Sequence, residues 1–238
     1  MTTATNRLDR IATYLMIVAS ALLIVLITGT MLARTDDDEP PDGENRQATR
    51  RPTVAIPSED IEFESSASRG SADAPVVVMV FSEFECPYCK RFATDVLTAI
   101  DSELISQGAI QLVFRHLPLP KHTNAFSAAE ASECARRQGR FWEMHDALFG
   151  EIASPKKGSQ TWGNIRLDQD AFARCMATDA SEAVHRDLAL ARQLGITATP
   201  TFLVGKRVGL SKVKVLEVKA GLISVATLGE MANRLRTQ

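Results

Sequence analysis

With 238 residues, 45% of them hydrophobic and 24% charged, the chain has the composition of a globular protein with room for one ordinary domain and a tail, not that of a fibrous or wholly disordered polymer. Lys and Arg (27) nearly balance Asp and Glu (29), and a formal charge of -2 provides no footprint for a polyanion, so nucleic acid is disfavoured as a partner.

From Ile11 to Ala33 the sequence runs without a charged residue, and a helix of about 20 apolar residues crosses the hydrocarbon core of a membrane. A cleavable signal peptide competes with this reading, but its apolar region is usually only about 7 to 15 residues. Met31-Leu32-Ala33 also makes a poor A-x-A cleavage site. We therefore read residues 11–33 as an uncleaved transmembrane anchor. Arg7 and Arg10 on the short side compete with Arg34, Arg46, Arg50 and Arg51 on the other. Long domains translocate largely regardless of charge, so residues 1–10 are assigned to the cytoplasm and everything after the anchor to the extracytoplasmic or periplasmic side. Residues 34–58, rich in Asp, Glu, Pro and Arg, read as a solvated, flexible linker.

The remainder, 59–238, reads as one domain. Ala74 to Phe81 is a β-branched apolar run opened by Pro75, the pattern of a strand buried on both faces. Behind it Phe92, Val96, Leu97 and Ile100 recur at helical spacing. Ile110 to Arg115 is a second strand that ends before Leu117-Pro118-Leu119-Pro120, and strand, helix, strand predicts a parallel pair. An all-helical insert follows at about 121–195. Ala125, Ala128, Ala129, Ser132 and Ala135 form one stripe, Phe141, Met144 and Leu148 another that ends at a Gly150 C-cap, and Asp179 with Glu182 resembles a capping box. Strands return at Thr201 to Val204 and Val213 to Val218, with a turn near Gly205 or Gly209. A last helix carries Leu228, Met231 and Leu235, and Thr227 with Glu230 fits its start. The expected architecture is α/β: a mixed sheet flanked by helices, with a helical block inserted.

Two of the four cysteines, Cys86 and Cys89, stand three apart where the strand hands over to the helix. A zinc site needs two more ligands at matching spacing, and neither a second CxxC nor a paired His follows, so no metal is assigned. A cysteine at a helix N-terminus meets unpaired N–H groups and the positive end of the helix dipole, which stabilise a thiolate. Cys86 holds that position, Pro87 fits the first turn, and Cys89 lies one turn further in. Cys86 should therefore attack or be attacked first, and Cys89 should resolve the mixed disulfide. Lys90 and Arg91 favour the thiolate, Glu83 and Glu85 oppose it, and Tyr88 supplies no charge; a poise milder than that of the strongest oxidants is expected. Cys134 and Cys175 fall on helices of the insert. They are either inert buried thiols or, in an oxidising compartment, a structural disulfide, and the disulfide is favoured. His116, His122, His145 and His185 are scattered without ligand spacing, and Trp142 reads as core or groove lining.

Phe81-Ser82-Glu83-Phe84-Glu85-Cys86-Pro87-Tyr88-Cys89, followed far downstream by Gly195-Ile196-Thr197-Ala198-Thr199-Pro200-Thr201-Phe202, resembles the DsbA-like thiol-disulfide oxidoreductases. The resemblance covers roughly residues 60 to 238, including the Gly70 to Pro75 entry and the Phe141 to Asp146 helix start. It implies a thioredoxin-like fold, a cis Pro200 beside the redox pair, and Thr199 offering its backbone to an extended substrate with Pro87 and Tyr88 alongside, a form of β-augmentation. It also leads one to expect a buried acid six residues before the first cysteine. That position is Val80 here, which leaves water, Glu83 or Glu85 to exchange protons with Cys89.

The expected function is a membrane-anchored, monomeric dithiol oxidase that needs no cofactor. Its substrates would be exported proteins with cysteines, and a quinone-linked membrane partner would reoxidise it. Two alternatives stand beside it: a reductase or isomerase, and a tethered carrier of a soft ion such as Cu(I) on Cys86 and Cys89.

Overall fold

The computed structural model describes residues 54–150 and 165–237. The anchor read at 11–33, the N-terminus and most of the linker lie outside the described residues. Among the described residues no helix is long and apolar enough to cross a membrane. At the end of the stretch read as linker, Val54 is half-buried and packs against the core.

A six-stranded sheet organises the domain. In chain order its strands are β1 (Ile61–Glu62), β2 (Ser68–Arg69), β3 (Val76–Ser82), β4 (Ile110–His116), β5 (Thr201–Val208) and β6 (Lys212–Ala220), arranged β1-β6-β5-β3-β4-β2. β3 runs parallel to β4, with Val76 opposite Ile110, and antiparallel to β5, with Phe81 opposite Thr201. The parallel pair agrees with the strand-helix-strand reading. β1 and β2, two residues each, are too short to leave a periodic signal; they close the edges of the sheet beside β6 and β4.

Every residue of β3 is buried, and the period of two divides them cleanly. Val76, Val78 and Val80 face a core shared with Phe92, Ile100, Phe114, Phe202 and Leu228. Val77, Met79 and Phe81 face a second core with Leu203, Val213, Val215 and Ile196. A strand covered on both sides reads as a continuous apolar run rather than an alternation.

The helix after Cys86 is less regular than its periodicity predicts. α1 (Pro87–Arg91) passes into a π-helical turn (Phe92–Val96), then α2 (Leu97–Ile100), then a second π turn (Asp101–Ile105). The wide turns leave the apolar spacing nearly unchanged, so Phe92, Leu97 and Ile100 still reach the core.

Between β4 and β5 the described chain is helical: α3 (Ala125–Arg136), α4 (Phe141–Gly150), α5 (Gln169–Thr178) and α6 (Ser181–Gln193). The small-residue stripe of α3 is fully buried and lets α4, α5 and α6 pack against it. Cys134 and Cys175 are joined by a disulfide that ties α3 to α5, with their Cα atoms 5.7 Å apart. Buried charge holds the block to the sheet: Arg115 pairs with Asp187 at 2.7 Å, and Glu133 bridges His116 (3.1 Å) and Arg136 (2.7 Å). Burial alone would push the Glu133 carboxyl up, but those two partners outweigh it and hold the pKa below the usual range.

Three local expectations are corrected. Asp179 does not cap α6. The N–H groups of Asp179 and Ala180 still bond back to Cys175 O, and the Asp179 carboxylate and carbonyl take Arg137, so the side-chain cap lies earlier, where Asp168 Oδ1 accepts from Ala171 N–H (2.9 Å) at the start of α5. The last helix, α7 (Val225–Thr237), begins before Thr227 and is capped by Ser224 Oγ, which accepts from Thr227 N–H at 3.1 Å. Gly205 is no turn residue: it sits inside β5 at a bulge, and the chain turns at Gly209.

A Cβ on Gly205 would stand 2.0 Å from the Lys214 carbonyl oxygen. Gly205→Ala is expected to destabilise the fold by at least about 2 kcal/mol in denaturant titration. The Cys134–Cys175 bridge spans a sequence separation of 41, so replacing both residues by serine is expected to lower unfolding free energy by about 4 kcal/mol; an unchanged denaturation midpoint would rule that contribution out.

Candidate functional site

The end of β3, the start of α1 and the turn before β5 meet at Cys86. Its backbone is extended (φ -75°, ψ 121°), and Pro87 opens the helix at a position whose missing N–H costs nothing. Because Phe81 pairs with Thr201, the residues just before β5 come to lie beside those just after β3. The Cys86 thiol donates to the Thr199 carbonyl oxygen at 3.4 Å, and the Thr199–Pro200 peptide is cis.

The two sulfurs have different surroundings. Cys86 is 5% exposed and Cys89 fully buried, and both are free thiols. The Cys89 thiol donates to the Cys86 sulfur, and this bond is the main cause that lowers the Cys86 pKa from 9.0 to about 5. Burial opposes the shift, while Thr199 and the backbone N–H groups of Cys89 and Tyr88 assist it. The buried Thr199 hydroxyl has no partner among the described residues while Cys86 remains a donor to its carbonyl; ionising Cys86 makes the sulfur an acceptor for that hydroxyl. Cys89 moves the other way, its pKa pushed far above the ordinary thiol range by burial first and by its bond to Cys86 second. One sulfur is thus the anion and the other keeps the proton.

Lys90 and Arg91 are not what stabilises the thiolate. Lys90 turns to the Gly150 carbonyl oxygen at 3.5 Å, and hydrogen bonds do the work expected of the two side-chain charges. Pro87 and Tyr88 lie on the surface in front of Cys86, Tyr88 with 58% exposure.

Both acids of the approach segment turn away from solvent toward the entry of the helical block. Glu83 is 1% exposed; its Oε1 pairs with His122 Nδ1 and its Oε2 accepts from Glu85 N–H at 2.8 Å. Glu85 accepts from the backbone N–H (2.7 Å) and the side-chain Nδ2 (3.0 Å) of Asn124, the residue before α3. Burial raises the Glu83 pKa, partly offset by Glu85 N–H and His122, and the neighbouring Cys86 charge raises it further. Val80, where an acid was expected, is aliphatic and buried. Sequence reading names Glu83 as an opposing charge and as one candidate for proton exchange, but not its partner; the loop that carries His122 to it lies 39 residues downstream and leaves no local signal.

His145, which has no ligand spacing to another histidine, takes a structural place. It is buried among Phe84, Phe114, Phe141, Trp142 and Phe149, and burial depresses its pKa. Phe84 also stacks on Phe114 at 5.6 Å between ring centres, so an aromatic wall backs the approach to Cys86. Among the described residues no group of three His, Cys, Asp or Glu side chains is placed to hold a metal ion.

A family profile described as thioredoxin matches residues 63–220. The Na(+)/H(+) antiporter NhaA 3 of Salinispora tropica is 36% identical over 143 residues, 58% of this chain and 21% of the antiporter. The chain therefore spans about a fifth of the length of that relative. The probable disulfide bond formation protein D of Bacillus anthracis is 27% identical over 161 residues, 62% of this chain and 73% of that protein. Among solved structures, oxidised BdbD from Bacillus subtilis superposes with a TM-score of 0.63 at 20% identity, covering 75% of this chain and 97% of that one, a likeness of fold.

The Cys86 shift carries a sign that titration can check. A folded pKa of about 5 against an ordinary 9.0 gives the reduced protein stability that is complete above pH 9 and lost as pH falls toward 5. Cys89, shifted upward, is neutral in this window and costs stability only above it. Thiolate absorbance should titrate near pH 5 and vanish in Cys86→Ser. Between these limits reduced wild type should gain on that variant by at most about 1.4 kcal/mol per pH unit; a midpoint in the free-thiol range would contradict the site geometry.

Proposed function

The chain belongs to the thioredoxin family, and we propose that it is a thiol-disulfide oxidoreductase of the DsbA type that passes disulfides to exported polypeptides through Cys86 and Cys89. The observation that carries this reading is the unequal pair: a Cys86 thiolate held by Cys89, Thr199 and backbone N–H groups in front of a fully buried Cys89 thiol. A substrate thiolate attacks Cys86 in the oxidised pair. The Cys86–Cys89 bond breaks, a mixed disulfide forms at Cys86, and Cys89 takes a proton. A second substrate thiolate then attacks the substrate sulfur of the mixed disulfide, and Cys86 leaves as the stabilised thiolate. Thr199 and Pro200 border the sulfur on one side and Pro87 and Tyr88 on the other, so an extended segment pairing with the Thr199 backbone would present its cysteine to Cys86.

Direction follows from thiolate stability. A pKa of about 5 lies between the values near 7 and near 3.5 of a strong reductant and a strong oxidant of this superfamily. The more the reduced form is stabilised, the more oxidising the pair. This favours an oxidase milder than the strongest, over a reductase or isomerase. Residues 11–33 supply the anchor that keeps the domain at the outer face of the membrane as a monomer, near a quinone-linked partner able to reoxidise it. Two thiolates also suit Cu(I), but nothing beyond the pair itself favours a carrier.

Equilibration with glutathione buffers is expected to give a reduction potential between about -270 and -120 mV. Cys89→Ser should accumulate mixed disulfides with an unfolded polypeptide that carries a disulfide, Cys86 attacking one substrate sulfur and the other leaving as a thiolate, and Cys86→Ser should exchange no faster than free cysteine. A potential at or below about -270 mV would reverse the direction, and an inert wild type would end the dithiol reading.

A further inference from the structure

The described structure holds one buried titratable pair next to the redox cysteines that the exchange steps above do not use. Glu83 lies three residues before Cys86, and its carbonyl oxygen accepts from Cys86 N–H at 3.4 Å, so the two residues share one tight turn. The Glu83 carboxyl is shut off from solvent, whereas the side chain of His122, paired to it, keeps 19% of its surface exposed. The charged or titratable groups that face this carboxyl are Cys86 from the turn before α1 and His122 from the loop after β4; Glu85, next but one along the chain, presents its N–H and turns its own carboxylate to Asn124. A buried acid, a ring that reaches water and a sulfur that gains and loses charge together make a place where protons and electrons become linked.

We propose that Glu83 and His122 are a redox-linked proton couple: the pair gains a proton when Cys86 and Cys89 are reduced and releases it through the His122 ring when they are oxidised. They act through Cys86 as positioning residues and touch no substrate. The physical cause is charge. Reduction places an anion on Cys86 beside a buried carboxylate, and two like charges at low dielectric are relieved when one of them binds a proton. The inference rests on the dithiol reading above and deepens it by assigning the proton exchange that Val80 cannot perform.

With glutathione the step balances. The oxidised pair and two glutathione thiols give the Cys86 thiolate, the Cys89 thiol, glutathione disulfide and one proton. Released to solvent, that proton makes the equilibrium constant rise tenfold per pH unit, equivalent to 29.6 mV for a two-electron couple. Taken up by Glu83 and His122, it leaves the constant level with pH.

The test is the glutathione equilibrium of the full chain between pH 5.5 and 8, for wild type, Glu83→Gln and His122→Asn, with thermal unfolding of each variant as a control. Wild type is expected to show a stretch of at least one pH unit in which the constant rises less than threefold. Glu83→Gln should rise tenfold per unit throughout. In His122→Asn the carboxyl loses a partner that favours its charge, so the level stretch should move to higher pH. Should Glu83→Gln fold poorly, infrared difference spectra of wild type supply the second readout: a protonated-carboxyl band should appear on reduction. Coincident slopes for wild type and Glu83→Gln, or no such band, would overturn the couple and leave the dithiol reading intact. A wild type that fails to equilibrate with glutathione at all would overturn the dithiol reading itself.

Discussion

Burial of β3 on both faces is the constraint from which the rest of the site follows. With β4 on one side, β5 on the other and a core on each face, the strand is fixed in register, since a slip of one residue would exchange the Val76, Val78, Val80 set with the Val77, Met79, Phe81 set. The chain leaving its C-terminal end therefore has one course, and Ser82, Glu83 and Phe84 are buried before Cys86 reaches the helix start. The pairing of Phe81 with Thr201 brings Thr199 and Pro200 to the same end of the sheet. The redox pair and its neighbour across the sheet are positioned by one hydrogen-bond ladder, not by two independent loops.

Within that frame the difference between the two sulfurs arises from depth and hydrogen bonding more than from formal charge. Both are shielded, but Cys86 accepts hydrogen bonds from the Cys89 thiol and from backbone N–H groups, while at Cys89 burial and the bond it gives to Cys86 outweigh the hydrogen bonds from Ser82 and the Glu83 backbone. Lys90 and Arg91 stand outside this local circuit, their solvated charges weakened by the high dielectric of water. Three hydrogen-bonding groups of the first helical turn, with Thr199 from across the sheet, outweigh two cations at the surface.

The helical block is more than a covering for the sheet. Its entry loop and the start of α3 take both acids of the approach segment, Glu83 through His122 and Glu85 through Asn124. Its interior is held to β4 by Arg115 with Asp187 and by His116 with Glu133. Buried pairs of this kind add little net stability over apolar packing, but losing one partner leaves a stranded charge, so they specify a single docking arrangement. The Cys134–Cys175 bridge then ties α5 to α3 across a sequence separation of 41.

What the sequence by itself determined is whatever depends on neighbours in the chain. The apolar run 74–81, the CxxC at a strand-helix junction, the parallel β3 and β4, and the helical stretches of the insert are local patterns, because hydrophobic period and turn chemistry act over a few residues. Only the tertiary structure decided what depends on distant segments meeting: the edge strands β1 and β2, the bulge at Gly205, the cap at Ser224 in place of Thr227, and above all the partners of Glu83. In the chain Glu83 is one of two acids just before a cysteine, a charge opposing a thiolate three residues on and one candidate among others for proton exchange. In the fold it is desolvated, paired with a histidine 39 positions away and electrostatically joined to Cys86. Burial and dielectric belong to the packed state, and no spacing rule reports them.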